Sequence, residues 1–353
     1  MQTPKQGNIR INLVKKAQKS KSPTTQIPRR GYWANKILKE PLARRAYAKS
    51  LKNWRRGQFE GMWGASFTRG AKSIWTTFKF PILNIIREEI KLNHQQDNLE
   101  KNKLESSAKQ KSTKQKTKML PSTKIFDSGA GTFVLSQDIK EKFGKNVSIT
   151  AVNLAHPNNP KAIGEEKANK KSFMVIKEWF ARNNLVTRAR KAAERTKYLD
   201  RLIISPIEEI SPEGKNRELK NKFSVVIDIY GGLFHTYGEL LNARSPGERI
   251  IAQKFVDRII YNYFQILSPN GILILTTSAS EYKSNEKNPF SIAHYIEKQL
   301  GPSSESAKKS GYFMSIEQSS QIVNGDRICV VRKIPLPKIA EELQAHVPST
   351  PKF

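Results

Sequence analysis

From Thr123 to Lys333 the chain alternates short apolar runs with amphipathic stretches, and this alternation restricts what it can fold into. The apolar runs are TKIFD from Thr123, VSITAV from Val147, RLIIS from Arg201, FSVVIDIY from Phe223 and GILILTT from Gly271. The run from Phe223 is apolar nearly throughout, the pattern of a strand covered on both faces. Helical patterns separate them: Phe133 to Gly144, Ser172 to Tyr198, Gly247 to Leu267 and Pro289 to Gly301. Gly144 and Gly301 stand where a helix stop is expected. GYFMSIEQ from Gly311 and DRICVVRK from Asp326 read as a closing hairpin. Such an order predicts an α/β fold with a doubly wound, mainly parallel sheet.

The rest of the chain differs in composition. The 353 residues carry a formal net charge of +31, and residues 1–120 hold 28 Lys and Arg against 7 Asp and Glu. Five segments follow: a disordered basic arm over 1–30, a helical basic region over 31–103 broken at Pro41, a flexible Ser/Lys/Gln linker over 104–121, the α/β domain over 122–334, and a tail over 335–353. A field of this sign favours polyanionic partners: RNA, DNA or an anionic membrane surface. Arg29, Arg30, Arg44, Arg45, Trp54, Arg55 and Arg56 are the candidate nucleic-acid contacts, the cations for phosphates and the indole for a base face. The alternative for the tryptophans is packing within a small helical subdomain.

The lone Cys329 excludes an intramolecular disulfide and a cysteine-built zinc cluster. The histidines lack metal-ligand spacing, so no metal is expected. No apolar run reaches the roughly 18 residues of a membrane span, and the basic start lacks a signal-peptide core. A cytoplasmic protein is the expectation.

The chemistry concentrates in one turn. After the first strand comes DSGAGT, Asp127 to Thr132, feeding a helix. Gly129 and Gly131 allow close approach of a ligand to the backbone. A dinucleotide fingerprint needs a third glycine where Val134 stands. A phosphate-binding loop of the Walker kind is absent. Asp127 would repel a pyrophosphate but suits a ligand bearing an amine.

IFDSGAGTF resembles the first motif of the class I, Rossmann-like S-adenosylmethionine (SAM)-dependent methyltransferases. KFSVVIDIYGGLFH is similar to their fourth strand and its loop, and ILSPNGILILTTS to the proline turn and fifth strand. The likeness spans roughly residues 124–334. It implies SAM as cofactor, with Asp127, Ser128, Gly129, Ala130 and Gly131 at its methionine end. By the same resemblance Asn153 takes the ribose position usually held by an acid, Ser205 or Ile207 lies nearest the adenine, and Asp228 lies by the methyl group. Phe133 replaces a glycine common in the first motif, and Asn270 replaces the first glycine of the proline turn while still accepting left-handed geometry.

Transfer of a methyl from a sulfonium asks mainly for alignment and exclusion of water. Asp228, Tyr230 and His235 are the candidate catalytic residues, with a capping or packing role as the alternative for His235 and a structural acid bonding loop amides as the alternative for Asp228. The implied activity is methyl transfer to an undefined acceptor, RNA or a ribonucleoprotein being favoured by the charge. Two rivals stand beside it: an inactive methyltransferase-fold binding module, and a small-molecule methyltransferase with a basic anchor. An NAD(P)-dependent enzyme is the weakest reading.

Overall fold

The computed structural model describes residues 70–107, 123–153, 190–241, 243, 246–278, 292–323 and 325–337. Their strands are β1 (Thr123–Asp127), β2 (Val147–Asn153), β3 (Arg201–Ile204), β4 (Phe223–Asp228), β5 (Leu267–Ser278), β6 (Tyr312–Ser319) and β7 (Asp326–Pro335). Their named helices are α1 (Ala71–Phe78), α2 (Ile82–Ser107), α3 (Val134–Phe143), α4 (Gly232–Leu241), α5 (Pro246–Ile266), α6 (Ile292–Leu300) and α7 (Glu305–Ser310).

One seven-stranded sheet runs in the order β3-β2-β1-β4-β5-β7-β6. The pairs from β3 through β5 are parallel. β7 lies antiparallel to both β5 and β6, which makes the expected closing hairpin. The chain winds outward from β1 to β3 and then returns to β4 on the other side of β1. The carboxyl ends of β1 and β4 therefore flank the switch in strand order, where open α/β sheets form their ligand crevice.

Alternation along the strands supplies both faces of the core. Ile125, Val225, Ile227, Ile274 and Val330 join one apolar cluster with α1, α2 and α3. Their neighbours Phe126, Val226, Leu273, Leu275 and Val331 join the other with α4, α5 and α6. α3 stops at Gly144, whose φ of 55° a side chain would strain. α7 is absent from the sequence reading, although Ser304 caps it by accepting the Ala307 N–H at 3.0 Å and Gly311 ends it at φ 76°. β5 begins at Leu267, ahead of the expected Gly271, and its register against β4 shifts between Phe223 and Val225.

The expected domain start at 122 divides this core. α2 presents Ile82, Ile86 and Ile90 at helical spacing to the sheet, all buried. The α1 N-terminus meets α3, where the Ala71 N–H donates to Asp138 Oδ2 at 2.6 Å, a carboxylate at the positive end of a helix. Arg332 of β7 ties α2 to the sheet by a 2.6 Å ion pair with the buried Glu89. Residues 70–107 thus belong to the folding unit, and helix continues to Ser107, inside the stretch expected to be linker. Residues 1–69, 108–122 and 338–353 lie outside the described residues.

This docking is testable. Ile86 is fully enclosed, so Ile86→Ala should lower the unfolding free energy by about 2–5 kcal/mol. Leu99, exposed on the same helix, should lose less than about 0.5 kcal/mol as Leu99→Ala. Urea unfolding of the two variants measures both; equal losses would mean that α2 is not seated on the sheet.

Candidate functional site

Two backbone segments meet at the switch point: the turn after β1 and the loop from β4 into α4. Asp127 closes β1 and is buried, its Oδ2 accepting from Ser136 Oγ of α3 at 2.6 Å. Burial pushes its carboxyl up to about 6, with the Asp228 charge adding to the rise while Ser136 and the Gly129 N–H oppose it.

Ser128 is held to the neighbouring strand. Its N–H and its Oγ both lie 2.9 Å from the Ile227 carbonyl oxygen. Gly129 then packs backbone to backbone against the opposite loop: a Cβ there would sit 2.9 Å from the Ile229 oxygen and 3.2 Å from Gly231 Cα. So Gly129 is required by the contact between the two segments, beyond any ligand. Gly131 has φ 46°, and Phe133, fully buried as the N-cap of α3, has φ 60°. Phe133 thus keeps the left-handed backbone that glycine adopts freely, and its ring packs with Ala130, Ala151 and Ala192. Burial offsets the roughly 1–2 kcal/mol cost of that conformation.

Asp228 closes β4 with no solvent exposure. Its Oδ1 accepts from the Gly231 N–H and its Oδ2 from the Leu233 N–H, each at 3.1 Å. Ser128 Oγ lies 3.1 Å from the same Oδ2, and the Tyr263 hydroxyl of α5 donates to it as well. Among the readings of this residue, the geometry is that of an acid gathering loop amides and hydroxyls. Tyr230 has φ 52°, its N–H donates to Thr276 Oγ1 at 3.2 Å and its hydroxyl to Asp326 Oδ2 at 2.9 Å. His235 stands one turn into α4, its ring against Phe234. Burial lowers its pKa, opposed by the Asp228 charge and by a hydrogen bond to the Tyr230 backbone.

Asn153, at the end of β2, is buried and donates from Nδ2 to the Gly131 carbonyl at 3.2 Å. That explains an amide in place of an acid: a carboxylate would face a carbonyl oxygen with no donor between them. Ile207 is a core residue in the turn after β3, and its carbonyl accepts from Asn262 Nδ2 at 3.2 Å. The structure therefore brings Asp127, Ser128, Gly129, Ala130, Gly131, Asn153 and Asp228 into one neighbourhood. The nucleic-acid candidates Arg29, Arg30, Arg44, Arg45, Trp54, Arg55 and Arg56 lie outside the described residues.

Sequence reasoning missed Ser136, Thr276, Asn262 and Tyr263. Thr276, Asn262 and Tyr263 are polar groups within or at the end of apolar runs, which is the one signal available, Ser136 carries none, and nothing in the sequence says which partner each meets. Among the described residues no group of three or more His, Cys, Asp or Glu could hold a metal ion, and no helix is long and apolar enough to cross a membrane. A groove of about 310 Å³ opens at the amino ends of β4 and β5, between Asn93, Ser224 and Gly271. It lies at the opposite end of the sheet from these loops.

No family model matches the chain, and no curated protein matches it. Among solved structures it is similar to 1,6-didemethyltoxoflavin-N1-methyltransferase of Burkholderia thailandensis, at 12% identity over 82% of this chain and 90% of that one, with a TM-score of 0.34. It is similar also to the N-methyltransferase NodS of Bradyrhizobium japonicum, at 10% identity over 60% and 78%, TM-score 0.32. A third is the CMeT domain of the citrinin polyketide synthase, at 14% identity and TM-score 0.33, where 62% of this chain spans only 49% of that one. The fold rests on this chain's own strand order and turns: a seven-stranded α/β sheet closed by an antiparallel pair, as the motifs implied.

The contact between the loops predicts an asymmetric tolerance of glycine substitution. A Cβ on Gly231 would come 2.7 Å from Asp228 Oδ1 and 2.8 Å from Gly129 Cα. Gly231→Ala should therefore cost about 1–3 kcal/mol. Gly247→Ala, where an added Cβ meets nothing within 4 Å, should be neutral or stabilising by up to about 1 kcal/mol. Thermal unfolding of the two variants compares them directly.

Proposed function

We propose that this chain, built on the class I, Rossmann-like methyltransferase fold, is a SAM-dependent methyltransferase. The observation that carries the reading is the turn after β1. It lies at the switch point, with the buried Asp127 carboxylate behind it, left-handed Gly131 within it and Asn153 holding it from β2. These residues fit a cationic adenosyl compound, since a buried carboxylate at a tight turn favours an amine over a pyrophosphate. Asp127 and Gly131 would hold the methionine end, Asn153 the ribose side and the Ile207 turn the adenine side. When bound, the cofactor supplies a methyl already activated by its sulfonium charge. The chain's residues then align the acceptor and keep water out. His235, kept neutral by burial, is the residue suited to take a proton from an acceptor that must lose one.

For the acceptor, RNA or an RNA-bearing particle is our reading. Residues 1–69 hold 17 Lys and Arg against 2 Asp and Glu, interleaved with Trp33, Trp54 and Trp63, a composition suited to phosphates and base faces. Replacing Arg44, Arg45, Arg55 and Arg56 by Gln should weaken RNA binding and reduce its salt slope by about one for each phosphate no longer neutralised. An unchanged slope in a filter-binding titration would dismiss the RNA reading.

One observation favours a second reading, a binding protein that does not turn over. Asp228 and the Tyr230 hydroxyl, two of the candidate catalytic groups, already bond within the protein. Methyl transfer from labelled SAM to RNA and protein fractions separates the two.

Calorimetric titration with SAM and S-adenosylhomocysteine, with NAD as control, tests the site itself. Gly131→Val, which forces a β-branched residue to φ 46°, should abolish binding of both adenosyl compounds while the domain stays folded. Binding by the wild type should also be linked to Asp127. With its carboxyl near 6, affinity should be level above that pH. As pH falls below it the carboxylate is protonated, and affinity should drop toward about ten-fold per pH unit. Asp127→Asn should bind weakly and lose this dependence.

A further inference from the structure

The crevice loops are braced by a helix that contributes nothing to the motifs. We infer that Tyr263 and Asn262, neighbours on α5, are positioning residues for the cofactor site: Tyr263 fixes the methionine-side loops and Asn262 the adenine-side turn. This rests on the methyltransferase reading above.

Adjacent residues on a helix point about 100° apart, so the two can serve different segments. Both are fully buried. The Tyr263 hydroxyl donates to Asp228 Oδ2 and lies 2.7 Å from Ser128 Oγ, so one phenol joins the first residue of the β1 turn to the acid that organises the β4 loop. Asn262 Nδ2 donates to the Ile207 carbonyl at 3.2 Å and lies 3.5 Å from that of Glu208. One turn earlier on α5, Arg258 donates to Ser211 Oγ at 2.7 Å, extending the hold along the same segment. A buried phenol or amide serving only to fill the core would leave its polar atoms at a cost. Here the Tyr263 hydroxyl and Asn262 Nδ2 find their partners at crevice loops, while Asn262 Oδ1 is buried without a partner among the described residues, and the surrounding α5 residues Ile259, Ile260, Phe264 and Ile266 are apolar core.

The division of labour is the testable part. S-adenosylhomocysteine carries both the amino-acid and the adenosine halves, whereas 5′-methylthioadenosine lacks the amino acid. Tyr263→Phe should weaken S-adenosylhomocysteine about ten-fold and leave 5′-methylthioadenosine within about two-fold, because only the methionine-side loops lose their brace. Asn262→Leu should weaken both ligands about ten-fold, because it loosens the adenine-side turn that they share. Calorimetry on the full chain, with thermal melts to show that each variant is folded, reads these changes. A merely structural tyrosine would move both ligands together, so an equal loss, or none, in Tyr263→Phe overturns its assignment. Unchanged affinities in Asn262→Leu overturn the other. Should Tyr263→Phe fail to fold, Ser128→Ala removes the same tie from the turn and must reproduce the selective loss. A folded wild type that binds neither compound overturns the methyltransferase reading itself, an outcome distinct from failure of the variants.

Discussion

The carboxylate of Asp228 is the interaction on which the crevice depends. It is sealed from solvent at the end of the strand beside β1, and it gathers the Gly231 and Leu233 amides, the Ser128 hydroxyl and the Tyr263 phenol. A buried carboxylate is costly without such partners and a strong organiser with them. By holding the start of α4 on one side and the β1 turn on the other, it brings Gly129 and Gly231 into backbone contact. Neither glycine has room for a side chain, so the crevice floor is made of main chain. The groups that make the site rigid are therefore largely used up in doing so. The Asp127 carboxylate and the Asn153 amide beside them are bonded as well, to Ser136 and to the Gly131 carbonyl.

The same economy of partners runs through the outer layers. Lys333 is buried in β7, yet its ammonium reaches the Phe264 and Leu267 carbonyls at 2.9 and 2.8 Å and Asn221 Oδ1 at 3.0 Å. It lies over the Phe264 and Tyr312 rings, and burial still pushes its pKa down to about 8. Those carbonyls belong to the end of α5 and the start of β5, so the lysine anchors the same carboxyl-terminal turn of the helix that carries Asn262 and Tyr263.

Departures from the motif pattern that the sequence resembles have physical grounds in three dimensions. Phe133 stands where glycine is common, and keeps a φ of 60° because its ring is enclosed by three alanines. Asn270 takes φ 61° in the proline turn, as its type allows. Asn153 replaces an acid because its amide serves the Gly131 carbonyl.

By itself the sequence determined the sheet and its order of elements. β-branched and aromatic runs of strand length, separated by helical periods, leave few alternatives when both faces must be covered. It also located the glycine turn and Asp127, because a short motif is local and its neighbours in sequence are its neighbours in space. What it could not decide is what touches what across the chain. The helix from Ile82 looked like part of a basic extension, since amphipathicity shows that a face is buried and not what covers it. Tyr263 lay within a helix read only as an apolar stripe, and Asp228 stood equally as a catalyst or as an acid bonding loop amides. Tertiary packing supplies the contacts, because the partners lie up to a hundred or more residues away, as Ser128 does from Tyr263. A carboxylate's role is fixed by the donors that surround it, and only the folded chain assembles them.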